Sequence, residues 1–306
     1  MKKALVIGAG GFIGHNLIRR LKGEGWWVKG IDLKNPEYEG THADEFLIAD
    51  ASVDKIIDQK YDRIYQLAAD MGGAGFVFTG ENDADILTNS LGVNINVLKQ
   101  VEKVGVGTIF YSSSVCAYPD EVPGVESDAY PANPPSNYGW EKLTSERLFL
   151  AYHKNKGVNI RIARFHNCFG PHGTYKGGRE KSPAAICRKI IESDGEIEIW
   201  GDGEQLRPFI YIEDLLDGVE ALMTSNFIGP INIGPSDGIT INELINIVSE
   251  LSGKTFTIKR IPGPTGGAKR YANNDLAKKH LNWSPKLPLK ESLKKTHDWI
   301  KSEMEK

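Results

Sequence analysis

An alternation constrains this chain more than any other feature of it. Short apolar, β-branched runs at 4–7, 27–31, 46–48, 63–67, 108–112 and 159–163 are separated by longer stretches of helical period at 12–22, 52–58, 82–104 and 137–156. Strands alternating with helices build βαβ units, whose parallel sheet is covered on both faces. The expected class is therefore α/β, and all-helical or all-β folds are excluded. Past Phe165 the rhythm weakens. The spacing there predicts strands at 196–200, 209–212 and 231–233 and helices at 184–192, 213–224, 241–251 and 289–306. Ser182 reads as an N-cap, with Pro183 at the first helical position. The expected division puts residues 1–170 and 194–225 in the sheet domain. Residues 171–193 and 226–306 form a smaller mixed α/β lobe over the carboxyl edge of the sheet.

The first strand-to-helix turn reads Gly8-Ala9-Gly10-Gly11-Phe12-Ile13-Gly14. Gly8, Gly11 and Gly14 allow a tight turn, close backbone approach to a pyrophosphate, and tight helix–strand packing, with Phe12 and Ile13 in the first helical turn. Asp32 ends the second strand about 20 residues on, where a carboxylate accepts hydrogen bonds from ribose hydroxyls. That carboxylate repels a 2′-phosphate, so the expected cofactor is NAD rather than NADP. The sheet is accordingly expected to be a Rossmann-type doubly wound one. Asp50, after the third strand, is an expected adenine contact, and Leu67, Ala68 and Ala69 let the cofactor lie close to the backbone.

Other function classes fall away on charge and hydropathy. The net charge is −3 with scattered basic residues, which lacks the footprint of a nucleic-acid binder. No apolar run approaches the ~18–20 residues of a membrane span, and with a strand expected directly after Met1-Lys2-Lys3 no signal peptide is expected. Cys116, Cys168 and Cys187 are odd in number and widely spaced, so thiols and a cytoplasmic location are expected. His153, His166 and His172 lack HxxxH or HExxH spacing, so no metal centre is expected.

Tyr138 and Lys142 stand four apart, on one face of a helix, with the ammonium placed to depress the phenol's pKa and hold a nicotinamide ribose. Ser114 ends the preceding strand and supplies a partner hydroxyl. Cys116 lies two residues further, at the mouth of the site, in position to act as a base. With the glycine loop upstream, this combination resembles an extended short-chain dehydrogenase/reductase of the nucleotide-sugar class.

The resemblance narrows over five ordered blocks: Ala68-Ala69-Asp70-Met71-Gly72-Gly73, Cys116-Ala117-Tyr118-Pro119, Arg164-Phe165-His166-Asn167, Gly177-Gly178-Arg179-Glu180-Lys181 and Trp200-Gly201-Asp202-Gly203. These are similar to the GDP-mannose 3,5-epimerase family, from about Leu5 to the last helix. The resemblance implies Cys116 and Lys181 as the acid–base pair, Tyr138 and Lys142 as redox residues, and NAD as a retained cofactor. It also implies a sugar site of Met71, Gly72, Ser114, Cys116, Asn167, Lys181, Lys189, Gln205, Arg207 and Arg270. Arg164, Lys189, Arg207 and Arg270 are expected to clamp a diphosphate. A homodimer through helices 82–104 and 137–156 is expected by analogy. Ile7, Ala74 and Asn273 depart from the family pattern, and Ala74 leaves a heptose or deoxy-sugar substrate open. A GDP-fucose-synthase-like reductase usually carries His where Lys181 stands and consumes NADPH, so Lys181 and Asp32 argue against it. A redox-inactive sensor would need only the glycine loop and Asp32.

Overall fold

The computed structural model describes residues 1–120, 122–265 and 273–306. The first half runs β1 (Lys3–Ile7), α1 (Phe12–Gly23), β2 (Trp27–Asp32), β3 (Glu45–Ile48), β4 (Tyr61–Gln66), α2 (Ala74–Val77), α3 (Asp83–Val104), β5 (Val106–Ser114), α4 (Asn137–Lys156) and β6 (Ile160–Phe165). The second half adds β7 (Asn167–Phe169), α5 (Ser182–Glu192), β8 (Glu196–Trp200), β9 (Leu206–Arg207), β10 (Phe209–Tyr211), α6 (Ile212–Thr224) and β11 (Ile231–Ile233). It closes with β12 (Ile239–Thr240), α7 (Ile241–Ser252), β13 (Thr257–Ile261), α8 (Asp275–Leu281) and α9 (Leu289–Met304).

Seven strands form one parallel sheet in the order β11-β6-β5-β4-β1-β2-β3. Alternate residues of β1 serve opposite faces, as strand geometry requires. Ala4 and Val6 join a core with Leu17 and Ile18 of α1 and Leu215 and Val219 of α6. Leu5 and Ile7 join another with Val93 and Val97 of α3 and Phe149 of α4. The sheet is thus covered on both sides, and the α/β doubly wound expectation holds. Winding reverses between β1 and β4, which opens a crevice at their carboxyl ends.

Three expectations are corrected. Residues 52–58 form turns and irregular chain, not a helix. Asp50 Oδ1 accepts from the Ser52 amide at 2.8 Å, the Asp50 carbonyl accepts from Val53 and Asp54 N, and α3 side chains take up further backbone groups. Gln100 Oε1 accepts from Ile56 and Ile57 N at 2.9 Å, and Asn96 Nδ2 donates to the Ala51 and Asp54 carbonyls. The helix at 182 is capped by Lys181, so Ser182 is already helical. β8 pairs with β13 in a separate two-stranded sheet and β11 pairs with β6 in the main sheet, whereas the expectation puts residues 196–200 with the main sheet and 231–233 apart from it.

Arg164 also differs from expectation. It is buried at the end of β6 and forks onto Glu146 of α4, with Nε 2.8 Å from Oε1 and NH2 2.6 Å from Oε2, while NH1 donates to the Glu126 carbonyl. Its donors therefore tie α4 to the sheet instead of facing a diphosphate. Removing one partner of a buried pair strands the other charge, at a cost of about 3–5 kcal/mol. Glu146→Ala is expected to lose stability of that order in urea unfolding, and a change under about 1 kcal/mol would show that the pair is not essential to the core.

Candidate active site

The glycine loop is shaped for close approach. Gly8 has φ 89°, and a Cβ there would lie 2.7 Å from the Ala68 amide nitrogen. Helix α1 starts at an N-cap, Gly11, that has no side-chain cap, and no acidic residue occupies its first turn. The amides of Phe12, Ile13 and Gly14 are thereby left to an anion. Asp32, at the end of β2, accepts from Gly10 N at 2.9 Å and fixes the loop that a dinucleotide would straddle. These features fit NAD: pyrophosphate at α1, adenosine ribose at Asp32, and Leu67, Ala68 and Ala69 along the edge of β4. Asp50 lies after β3, and its Oδ1 accepts from the Ser52 amide and hydroxyl.

That cavity, about 450 Å³, opens at the carboxyl edge between sheet and lobe. Ile13, Leu67, Ala69, Met71, Gly72, Ser114, Cys116, Tyr138, Lys142, Asn167, Lys181, Lys189, Gln205 and Arg207 all contribute to its wall. Thus three distant stretches expected to act together do converge. Arg270 lies outside the described residues.

Tyr138 is buried, beside the Ser114 hydroxyl, in the first turn of α4. Burial raises its phenol above the ordinary tyrosine value; nearby Cys116 and Glu141 push the same way, and the Ser114 hydrogen bond opposes them. Lys142 Nζ sits 5.4 Å from the Tyr138 ring centre but 3.4 Å from Glu141 Oε2. The expected depression of the phenol is therefore absent, because burial dominates and Cys116 and Glu141 add to it. Glu141, Tyr111 and Asn94 were not expected at the site. Glu141 Oε1 accepts from Ser145 Oγ at 2.8 Å and Asn94 Nδ2 at 3.3 Å, which anchors the acid that holds Lys142. An apolar-periodicity reading passes over such residues, since their signal is a partner distant in sequence.

Cys116 sits in a 3-10 turn after β5, its amide donating to Ser114 Oγ at 3.1 Å. Across the cavity, Lys181 caps α5. Enclosure pulls its ammonium below the ordinary lysine value, with Cys168 and Cys116 acting in the opposite direction. Cys168, expected to be structural only, forms part of the same wall, and burial pushes its thiol up to about 12. His166 is buried in the wall as well, and burial drives its imidazole down to about 3, so it is neutral. Two loops are stapled together here. Arg179 NH1 lies 3.1 Å from Asp70 Oδ1, the Arg179 guanidinium stacks 4.0 Å from the Phe76 ring centre, and Gly73 N donates to the Arg179 carbonyl at 3.1 Å. A Cβ on Gly73 would meet the Glu180 carbonyl at 2.3 Å, so this approach requires glycine.

Further along, Lys189 Nζ donates to the Glu198 carbonyl, Arg207 NH2 donates to the Thr265 carbonyl at 2.8 Å, and Asn167 Nδ2 reaches the Pro208 carbonyl at 3.5 Å. Gln205 Nε2 donates to the Trp200 carbonyl, while its buried Oε1 has no hydrogen-bond partner.

A doubly wound sheet, a phosphate-binding glycine loop and a Ser–Tyr–Lys group at the crevice define a dinucleotide-dependent enzyme of the short-chain dehydrogenase/reductase type. The chain belongs to the NAD dependent epimerase/dehydratase family, whose model matches residues 4–234. NAD is its cofactor. It is 42% identical to GDP-mannose 3,5-epimerase of Arabidopsis thaliana, covering 99% of this chain and 83% of that one. Identity to GDP-mannose 3,5-epimerase 1 of Oryza sativa subsp. indica is 41%, covering 98% and 82%. Among solved structures, UDP-glucuronic acid 4-epimerase from Bacillus cereus, in complex with UDP-glucuronic acid and NAD, is 28% identical with a TM-score of 0.84, over 98% of this chain and 99% of that one. Among the described residues no helix is long and apolar enough to cross a membrane.

Lys181 carries a stability consequence. Its proton is held to about pH 10.5 in the unfolded chain but is released earlier in the folded protein, so unfolding takes up a proton between those two values and stability rises with pH across that window. Lys181→Met is therefore expected to be more stable than the parent at pH 7, with the advantage shrinking toward pH 10 in paired urea titrations. A variant less stable at pH 7 would contradict the enclosure of this ammonium.

Proposed function

We propose that this protein is a GDP-mannose 3,5-epimerase-like isomerase, in which Cys116 and Lys181 invert the sugar and Tyr138 exchanges the C4 hydroxyl proton. The observation that carries the reading is that Cys116 and Lys181, from two segments far apart in sequence, line one cavity with Tyr138 and are near enough to interact electrostatically. Hydrogens at C3 and C5 of a hexose become acidic only beside a carbonyl. NAD, when bound, supplies the hydride acceptor that makes C4 a ketone and later returns the hydride. The Tyr138–Ser114 pair receives the C4 hydroxyl proton and gives it back, and the buried Glu141–Lys142 pair keeps that helix turn in place. One of Cys116 and Lys181 removes a carbon-bound proton while the other protonates the opposite face. The enclosed amine of Lys181 loses its proton more readily than a surface lysine, so it is suited to exchange. Lys189 and Arg207, further along the cavity, serve the nucleotide diphosphate in this reading, and Gln205 Oε1 accepts from a donor of the nucleotide sugar.

The division into a sheet domain and a capping lobe, and a cytoplasmic location suited to three thiols, belong to the same proposal. So does a homodimer. α3 and α4 pack on each other and expose Ile95 and Trp140. Sedimentation is expected to give twice the chain mass, and Trp140→Glu is expected to shift it toward one; a monomer in the parent would remove these helices as an interface.

With GDP-mannose in deuterium oxide, the parent is expected to place solvent deuterium at C3, C5 or both, read by proton NMR. Tyr138→Phe should retain binding and lose turnover by about 10²–10⁴. Cys116→Ala should still oxidise and re-reduce C4 without inversion. Epimerisation at the parental rate in Cys116→Ala, or a sugar ring that never takes up deuterium, would sink the assignment.

A further inference from the structure

Outside the central cavity, beside the start of α1, three imidazoles converge on one carboxylate. His15 Nε2, from α1, lies 3.2 Å from Glu39 Oε2, and His42 Nε2 lies 3.0 Å from Glu39 Oε1. His172 Nε2, from the loop after β7, lies 3.4 Å from Glu39 Oε2. The donor atoms of His15, Glu39 and His42 all fall within 4.8 Å of one another, and among the described residues this is the group of metal-type ligands so gathered. A tetrahedral zinc site with bonds of about 2.0–2.1 Å places neighbouring donors about 3.3 Å apart. His15 and His42 approach different oxygens of the Glu39 carboxylate, at 3.2 and 3.0 Å, so an ion among the three requires that carboxylate to turn and the imidazoles to close onto one point.

We propose that His15, Glu39 and His42 form a binding site for a divalent transition metal of the zinc class, with a fourth position open to water. A donor set of two imidazoles and a carboxylate suits zinc and its neighbours, not magnesium or calcium. His172 has a different part. Its Nδ1 is 3.2 Å from Arg19 NH1, which can only donate, so Nδ1 accepts and the hydrogen sits on Nε2. That N–H then faces Glu39 Oε2 at 3.4 Å, as an outer group beside a ligating carboxylate. The site is half open: His15 is buried while the side chains of Glu39 and His42 are 38% and 43% exposed, which leaves a path for an ion. Arg19 NH1, 3.8 Å from Glu39 Oε2, is the opposing charge, and it is held on His172 Nδ1. An ion here would tie the segment between β2 and β3 to α1, beside the small crevice lined by Gly10, Gly11, Phe12 and Lys34. Sequence spacing could not reveal the group, because positions 15, 39 and 42 meet only in the fold.

Tag-free protein stripped with chelator, then titrated with Zn²⁺ by equilibrium dialysis, is expected to bind one equivalent with a Kd near or below about 10 µM. Co²⁺ in its place should show the intense visible bands of a four-coordinate ion. His42→Ala, at an exposed position, and Glu39→Gln, which keeps a hydrogen-bonding shape, should each weaken binding at least about 10–100-fold. Arg19→Ala should tighten it, and Cys116→Ala should leave it unchanged. Zn²⁺ should raise the unfolding temperature of the parent and not of His42→Ala. Binding only near millimolar metal, or equal binding in the parent, His42→Ala and Glu39→Gln, would mean that the cluster is a hydrogen-bonded ion pair and overturn the proposal.

Discussion

Between β1 and β4 the chain changes its direction of winding, and the helices that follow leave to opposite faces of the sheet. The carboxyl ends of the two strands are therefore uncovered, and the groups that carry the chemistry are delivered to that gap. Gly8 follows β1, Leu67 follows β4 and Ser114 ends β5, so loops that are far apart in sequence share one rim. The cost of a parallel sheet is that both faces must be apolar. Leu5, Val6 and Ile7 are wholly buried on opposite sides for that reason.

Under this rim lies a layer of buried polar groups. Lys142, Glu141, Tyr111, Asn94 and Ser145 bond mainly to one another, and Gln66 Nε2 donates to Asn94 Oδ1 at 2.8 Å from the sheet below. An unpaired buried charge is expensive, so such a network is tolerable only when its members satisfy one another. Its effect is to fix the first turns of α4, which carry Tyr138 and Lys142, against the sheet. Tyr138 then owes its raised pKa to enclosure and neighbouring acidic groups, and Lys142 acts as half of an ion pair instead of a free field source.

The lobe side is held differently. Asp70 and Arg179 join the loop after β4 to the loop before α5, and Gly73 lets the two backbones touch. That staple carries Lys181 over the cavity at the N-cap of α5. Enclosing an ammonium works against stability, and the same enclosure makes its proton easier to exchange. Stability and reactivity are thus opposed at one side chain.

Much of this was legible in the sequence where the information is local. The period of β1, α1, β2, α3 and α4, the glycine loop, the acid after β2 and the ordered blocks around Cys116 and Lys181 depend on near neighbours, and the chain places them as their patterns require. Local pattern erred where distant side chains took over the backbone, as Asn96 and Gln100 do at 52–58. It erred again where a carboxylate on another element claimed a cation, as Glu146 of α4 claims Arg164 of β6. Strand partners were likewise decided only in three dimensions: β8 with β13 and β11 with β6. The sequence by itself determined the α/β layering and the chemical groups at the rim, because periodicity and turn chemistry act over a few residues. Only the tertiary structure decided which charges are paired, which thiols and imidazoles face the cavity, and which histidines surround Glu39, because those outcomes depend on contacts between segments tens to hundreds of residues apart.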